Sequence, residues 1–206
     1  MLQMPTVAAR WLAATQKPWS EADVEALYRR VTPMQVAAAA VHSALVPGVR
    51  DAVNALRAMK IRIAGSTGYF REAAEVCYKP ARTQGSEPEY SICAYEVSAG
   101  RPKPWMIFRC MEALDVFPPR RVVKVGDTVV DVEDGLNAGV GSVAVVDSSS
   151  EIGLSQLEFA ALSDPDRAAR RAAVRSRFEA AGAEGILNSI ADLPAFIAKS
   201  ETVLVS

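Results

Sequence analysis

The sequence is poor in the residues that most often carry enzyme chemistry near neutral pH, with one histidine and three cysteines among 206 residues. The single histidine, His42, lies in the alanine-rich run QVAAAAVHSAL. That removes a His-x-Glu-x-x-His zinc site and leaves a Ser/His/Asp triad without support. Cys77, Cys93 and Cys110 are odd in number, widely spaced and without a Cys-x-x-Cys pair. This suits a reducing compartment better than a disulfide framework, so a cytoplasmic location is expected. No run of about 18 apolar residues exists, and the start MLQMPTVAARWLAATQKPW lacks the charged, apolar and small-residue order of a secretory signal. No membrane association is expected. An excess of one charge sign is missing too: 23 Lys plus Arg stand against 24 Asp plus Glu, a net charge of -1. No global field draws nucleic acid or an anionic membrane, and an acidic ligand has to be held locally. Catalysis is left to carboxylates, hydroxyls, Lys, Arg or a hard metal.

What is present is an apolar half, 50% of the residues, enough for a packed core in one or two domains. From Met4 to about Leu45 the pattern is helical, with Ser20 and Asp23 as an N-cap pair followed by Val24, Leu27, Tyr28 and Val31. Pro33 is expected to bend or divide that helix. A domain boundary is expected between Leu45 and Gly48, followed by an amphipathic helix on Val49, Val53, Leu56 and Met59.

Strand candidates then alternate with helices. They are IRIAGS, YSIC, VVKVGD ending at Asp127, SVAVVD ending at Asp147, and GILN, separated by helical patterns over 69–79, 104–115, 129–138 and 154–181. The last pattern is read as two helices broken around Asp164-Pro165. Alternation of this kind implies right-handed crossovers and an α/β fold, a parallel sheet with helices on both faces. Trp105, Phe108, Met111 and Leu114 recur at helix spacing and are expected in the core. Chemistry is expected just after the carboxyl ends of the strands.

The first strand ends in Ser66-Thr67-Gly68-Tyr69. A hydroxyl followed by glycine and a helix start reads as a phosphate grip, or as an ordinary cap of the helix beginning near Tyr69. Tyr69 either projects into the cleft or packs. The third strand ends in Gly126-Asp127-Thr128-Val129-Val130-Asp131. Its two carboxylates suit a divalent cation, with Mg²⁺ favoured, although acids at a helix start are also favoured by the dipole alone. Arg101, in the loop GRPKPW, is a phosphate or carboxylate neutraliser or a surface ion-pair residue, and Lys103 is a weaker candidate. Arg167, Arg170, Arg171, Arg175 and Arg177 read as a solvated helix face rather than a nucleic-acid stripe.

Taken in order, AGSTGYFRE, SAGRPKPWMIF, VVKVGDTVVDVEDGLNAGV and SSSEIGL resemble the phosphonoacetaldehyde hydrolase family of the haloacid dehalogenase superfamily. The resemblance covers essentially the whole chain, and GRPxPWM is its most specific stretch. It implies a haloacid dehalogenase-like Rossmannoid core over 47–206, preceded over 1–46 by part of a helical cap. It also implies hydrolysis of the carbon–phosphorus bond of phosphonoacetaldehyde, through a Schiff base on a cap lysine and an aspartyl phosphate, with Mg²⁺. Carried over by motif, Ser66, Thr67, Gly68 and Tyr69 would meet the substrate phosphate, Arg101 would be the catalytic cation, and Asp127 would ligate Mg²⁺. Asp131 would ligate the metal or orient its surroundings. A small-molecule substrate and a homodimer through the cap are the implied partners.

Two parts of the family pattern have no counterpart in these 206 residues, namely the first strand ending in Asp-x-Ala-Gly-Thr and the lysine segment. An exposed slot at the centre of the sheet is the expected consequence, together with loss of turnover, and a phosphate-binding protein without catalysis becomes an alternative. A generic phosphatase of the same superfamily is a further alternative. Pro80, falling where the family continues a helix, is expected to break or kink it.

Overall fold

A computed structural model describes residues 5–204, and the chain forms two compact units that divide between Ala44 and Leu45. The first holds α1 (Pro5–Thr15) and α2 (Glu21–His42). The capping pair forms as expected: the Asp23 N–H donates to the Ser20 hydroxyl while the Ser20 N–H donates to the Asp23 carboxylate. Pro33, however, sits inside α2, which runs as one helix. The carbonyl a mid-helix proline orphans belongs to the residue four before it, here exposed Arg29, where water can satisfy it.

The second unit runs α3 (Val49–Ala58), β1 (Ala64–Thr67), α4 (Arg71–Thr83), β2 (Tyr90–Cys93), α5 (Trp105–Ala113), β3 (Val123–Gly126) and α6 (Val129–Ala138). It continues through β4 (Gly141–Val145), α7 (Gln156–Ala161), α8 (Asp164–Ala180), β5 (Gly185–Leu187) and α9 (Leu193–Leu204). The α/β alternation read from the sequence is therefore the architecture, and every strand pairing is parallel. Pro80 does not end α4, which continues to Thr83. The 154–181 pattern divides into two helices just before Asp164-Pro165, as expected, and the proline sits in the first turn of α8, where it loses no bond. Sequence reasoning did not assign α9, which follows a short 3-10 turn, Ile190–Asp192, closed by a Ser189 and Asp192 capping box.

Both faces of the sheet are covered. On β4, Ala144 and the following Val146 pack with Val132 of α6 and with Val174 and Phe178 of α8. Val143 faces the other way, toward Leu56 of α3 and Leu193, Phe196 and Ile197 of α9. This strict alternation is what parallel strands buried on both faces require. The expected core stripe of α5 is displaced by one residue: Met106, Ile107 and Leu114 are buried, whereas Trp105 and Phe108 are exposed and tilt against each other with ring centroids 6.0 Å apart. The stripe at 106, 107, 110 and 114 keeps helical spacing too, and packing against β1, β2 and α6 selects it.

The strands form two sheets, β1-β2 and β3-β4-β5. Helix α5 packs on β1, β2 and α6, while α6 packs on β3 and β4, so one helical layer roofs both sheets. Among the described residues no strand is hydrogen-bonded to the free edge of β1 or of β3.

Candidate active site

The carboxyl ends of β1 and β3 bring together the residues singled out by sequence. Thr67 ends β1, and its hydroxyl accepts the Tyr69 N–H at 3.1 Å. The helix that follows starts later, at Arg71, and no side chain caps it. Thr67 therefore does not act as a helix cap; its hydroxyl hydrogen makes no bond among the described residues. Gly68 lies against the Arg101 guanidinium, since a methyl group placed on it would meet an Arg101 nitrogen at 3.2 Å. Tyr69 is half-exposed beside this turn.

Arg101 is not a surface ion-pair residue. Its guanidinium bonds directly to the Asp131 carboxylate, a side chain only 3% exposed. The loop that carries it is fixed from α6, where the Asn137 amide donates to the Pro102 carbonyl at 2.8 Å. Lys124 closes the same carboxylate from the other side, with Nζ 2.9 Å from Oδ1. Thr128, the N-cap of α6, donates its hydroxyl to Oδ2 at 2.6 Å. Gly126 makes this possible, because any Cβ there would overlap the Asp131 side chain. Burial alone would raise the Asp131 carboxyl. The Lys124 charge, the Thr128 and Lys124 hydrogen bonds and the Arg101 charge overcome it and hold the group at about 2.

Asp127 stands at the end of β3 in a different environment. Its carbonyl accepts the Ser149 hydroxyl and its carboxylate accepts the Ser150 N–H at 3.3 Å. Burial pushes this carboxyl up; the Ser150 bond and the Arg101 charge oppose the rise and the neighbouring Asp131 charge adds to it. A desolvated carboxylate with spare lone pairs and no paired cation is a fitting ligand for Mg²⁺, which is commonly held by one or two carboxylates with waters and substrate phosphate. Asp131 does not fit the same role as placed, because Arg101, Lys124 and Thr128 take its oxygens. It orients the cations instead. Among the described residues no group of three ligating side chains forms.

Four contributors escaped sequence reasoning. Lys124 is a lone cation inside an apolar strand just before Gly-Asp, a signal that was available. Asp134, one helical turn beyond Asp131, is fully buried with both oxygens unpartnered among the described residues, and burial raises it to about 6. Ser149 and Ser150, which hold Asp127, come from a loop more than 20 residues away; they lie in the SSSEIGL stretch, which marked the family without assigning them a role. Lys103 is exposed and makes no side-chain contact with this set.

A parallel α/β layer with a hydroxyl turn, a loop arginine and a Gly-Asp-Thr-x-x-Asp strand end defines a class. A family model for haloacid dehalogenase-like hydrolases matches residues 5–139, and the chain belongs to that class. A phosphonoacetaldehyde hydrolase of Nitratidesulfovibrio vulgaris is 38% identical over 192 residues, covering 93% of this chain and 69% of that protein. One from Bacillus cytotoxicus is 33% identical over 207 residues, covering 99% of this chain and 78% of its own length. The crystal structure of a phosphonoacetaldehyde hydrolase like protein from Oleispira antarctica matches with a TM-score of 0.90 and 32% identity, over 96% of this chain and 72% of that one. Within its class, the chain belongs to the phosphonoacetaldehyde hydrolase family.

The five α8 arginines are not a free solvated face. Arg171 binds the Asp147 carboxylate through two nitrogens at 2.7 and 2.6 Å. Arg170 and Arg175 donate to the carbonyls of Ile152 and Ile186, Arg177 pairs with Glu151, and Arg167 donates to the carbonyls of Ala160 and Leu162. They stitch α8 to the loops after β4 and β5. Among the described residues no helix is long and apolar enough to cross a membrane, and the three cysteines are free.

Proposed function

We propose that this chain serves hydrolysis of the carbon–phosphorus bond of phosphonoacetaldehyde, contributing the phosphate-holding and metal-holding half of the site. The observation that carries the reading is the Arg101 guanidinium, held by buried Asp131 beside the Gly68 turn. Phosphate oxygens would meet the Ser66-Thr67-Gly68 turn and the outer edge of Arg101, with Tyr69 bordering the approach. Asp131 keeps Arg101 and Lys124 pointed at that position before a ligand arrives, so the anion encounters oriented charge rather than mobile side chains. Asp127 would hold Mg²⁺, which supplies positive charge to the phosphoryl oxygens when bound.

The attacking aspartate and the Schiff-base lysine of the family correspond to no residue of this sequence, so this chain by itself is expected to bind phosphate with Mg²⁺ and not to turn substrate over. The test is calorimetry with orthophosphate, with and without Mg²⁺, alongside borohydride trapping in the presence of phosphonoacetaldehyde. Mg²⁺-dependent binding with no trapped adduct is expected. A stoichiometric adduct would place a working lysine within these residues, and absence of any phosphate binding would remove the site. Turnover of a simple phosphate monoester would favour the generic phosphatase reading instead.

A further inference from the structure

Beyond the carboxyl ends of β4 and β5 the core unit opens into a crevice of about 440 Å³. This lies within the range of about 300–1,000 Å³ that small ligands occupy. Arg101, Asp127 and Asp131 do not line it. Its walls are apolar at Leu154, Phe159 and Ile190 and charged at Asp147, Arg167 and Arg171. Arg171 is rigidly presented, with its carboxylate partner on one side and its guanidinium carbon 5.7 Å from the centre of the Phe159 ring on the other.

The two guanidiniums are not saturated. Each carries five N–H donors. Among the described residues Arg171 bonds Asp147 through Nε and Nη2 and leaves Nη1 without an acceptor, while Arg167 donates from Nη1 to Asp164 and from Nη2 to the carbonyls of Ala160 and Leu162, three of its five donors. Two cations against the one carboxylate in the wall leave one positive charge. Asp164 approaches Arg167 at 3.5 Å, but its side chain is 95% exposed and water screens the pair. A single uncompensated charge over an apolar wall matches a ligand with one negative charge and a hydrocarbon body. A polyanion would meet the Asp147 carboxylate with charge to spare.

We propose that this crevice is a second binding site, for a small organic monoanion of the carboxylate class with an apolar body. The site is connected to the first one. Ser149 lines the crevice and donates its hydroxyl to the Asp127 carbonyl, so an occupant that moves the 147–149 loop also moves Asp127. The inference does not rest on the hydrolase reading, since neither the phosphate turn nor any catalytic step enters it.

The experiment is an NMR titration of the whole chain with hexanoate, hexanol and hexylammonium at low salt, following the amides of Ser149, Phe159 and Arg171. Hexanoate is expected to bind saturably and at least about tenfold more tightly than hexanol, the difference one charge-assisted hydrogen bond makes. Arg171→Gln should weaken it about tenfold. Because that variant leaves Asp147 unpaired, Asp147→Asn is the stronger test: removing the competing carboxylate should tighten hexanoate severalfold. Equal affinity for hexanol, no saturable hexanoate binding, or unchanged or weaker binding by Asp147→Asn would overturn the proposal. Hexanoate and orthophosphate are expected to occupy the chain together, which separates this site from the one at Arg101; competition between them for one site would overturn the proposal.

Discussion

Lys124 of β3 reaches Ser66 of β1, with its Nζ 3.3 Å from the serine hydroxyl, across a gap that no hydrogen-bonded strand fills among the described residues. The same Nζ pairs with Asp131, and the lysine side chain is 11% exposed. A cation in this position is expected to matter more for the carboxylates than for the serine. Lys124→Met should destabilise the core unit by about 1.5–3 kcal/mol, the loss of one charge-assisted bond from a buried carboxylate that Arg101 and Thr128 still hold. Ser66→Ala should cost about 1 kcal/mol. Urea unfolding distinguishes them, and equal losses would mean that the bridge between strands is the main role.

Arg101 pairs with the buried carboxylate of Asp131 beside the proposed phosphate turn. Arg101→Gln should weaken Mg²⁺-dependent orthophosphate binding by about tenfold or more. Arg101→Lys should recover only part of it, because a point charge replaces a fork that meets carboxylate and phosphate together. Calorimetry reads both, and full recovery by lysine would show that charge alone is used.

Asp134 and Asp131 should impose opposite pH dependences on stability. The folded-state carboxyl of Asp134 is raised by burial to about 6 from an ordinary 3.8. Between those values the folded protein binds more protons than the unfolded chain, so stability falls as pH rises from about 4 to about 6. Asp134→Asn should flatten that slope, on the order of 1–3 kcal/mol. Asp131, held at about 2, contributes stability that is present above about 4 and lost as pH falls through 2. Chemical unfolding of both forms from pH 3 to pH 8, a range of about five units, tests the pair of slopes. An unchanged slope in Asp134→Asn would assign the titration to another group.

Gly126 is bound to its position by Asp131 rather than by backbone conformation. A Cβ there would overlap the Asp131 side chain, which Lys124 and Thr128 hold in place. Gly126→Ala should cost about 1–3 kcal/mol, as overpacking does, and should raise the Asp131 carboxyl by pushing it off Lys124. Thermal unfolding checks the first expectation, and carboxyl NMR the second.

The periodicity of the sequence was sufficient for the α/β alternation, for the existence of five strands, the first of them shifted toward Thr67, and for placing Thr67 and Asp127 at strand ends and Arg101 in the loop before α5. Strand ends are local events, marked by where an apolar run meets glycine, a hydroxyl or an acid. The prolines were misleading for a related reason. Their cost in α2 and α4 is also local, and flanking turns that the sequence reading did not weigh outbalance it. The buried face of α5 was read one residue out because two stripes with helical spacing overlap there, and only contact with β1, β2 and α6 chooses between them.

The sequence by itself determined the residue types from which chemistry can be built. With a lone histidine in an alanine run and no charge excess, it confined function to carboxylates, hydroxyls and a few cations, and its motifs carried the family. What only the tertiary structure decided is who meets whom. Asp131 meets Arg101 and Lys124, the α8 arginines bind carbonyls and acids instead of solvent, and Ser149 reaches Asp127 from the loop after the neighbouring strand β4. Each of these depends on side chains distant in the chain converging in a low-dielectric interior, where pairing is enforced by the cost of leaving a charge or polar group alone.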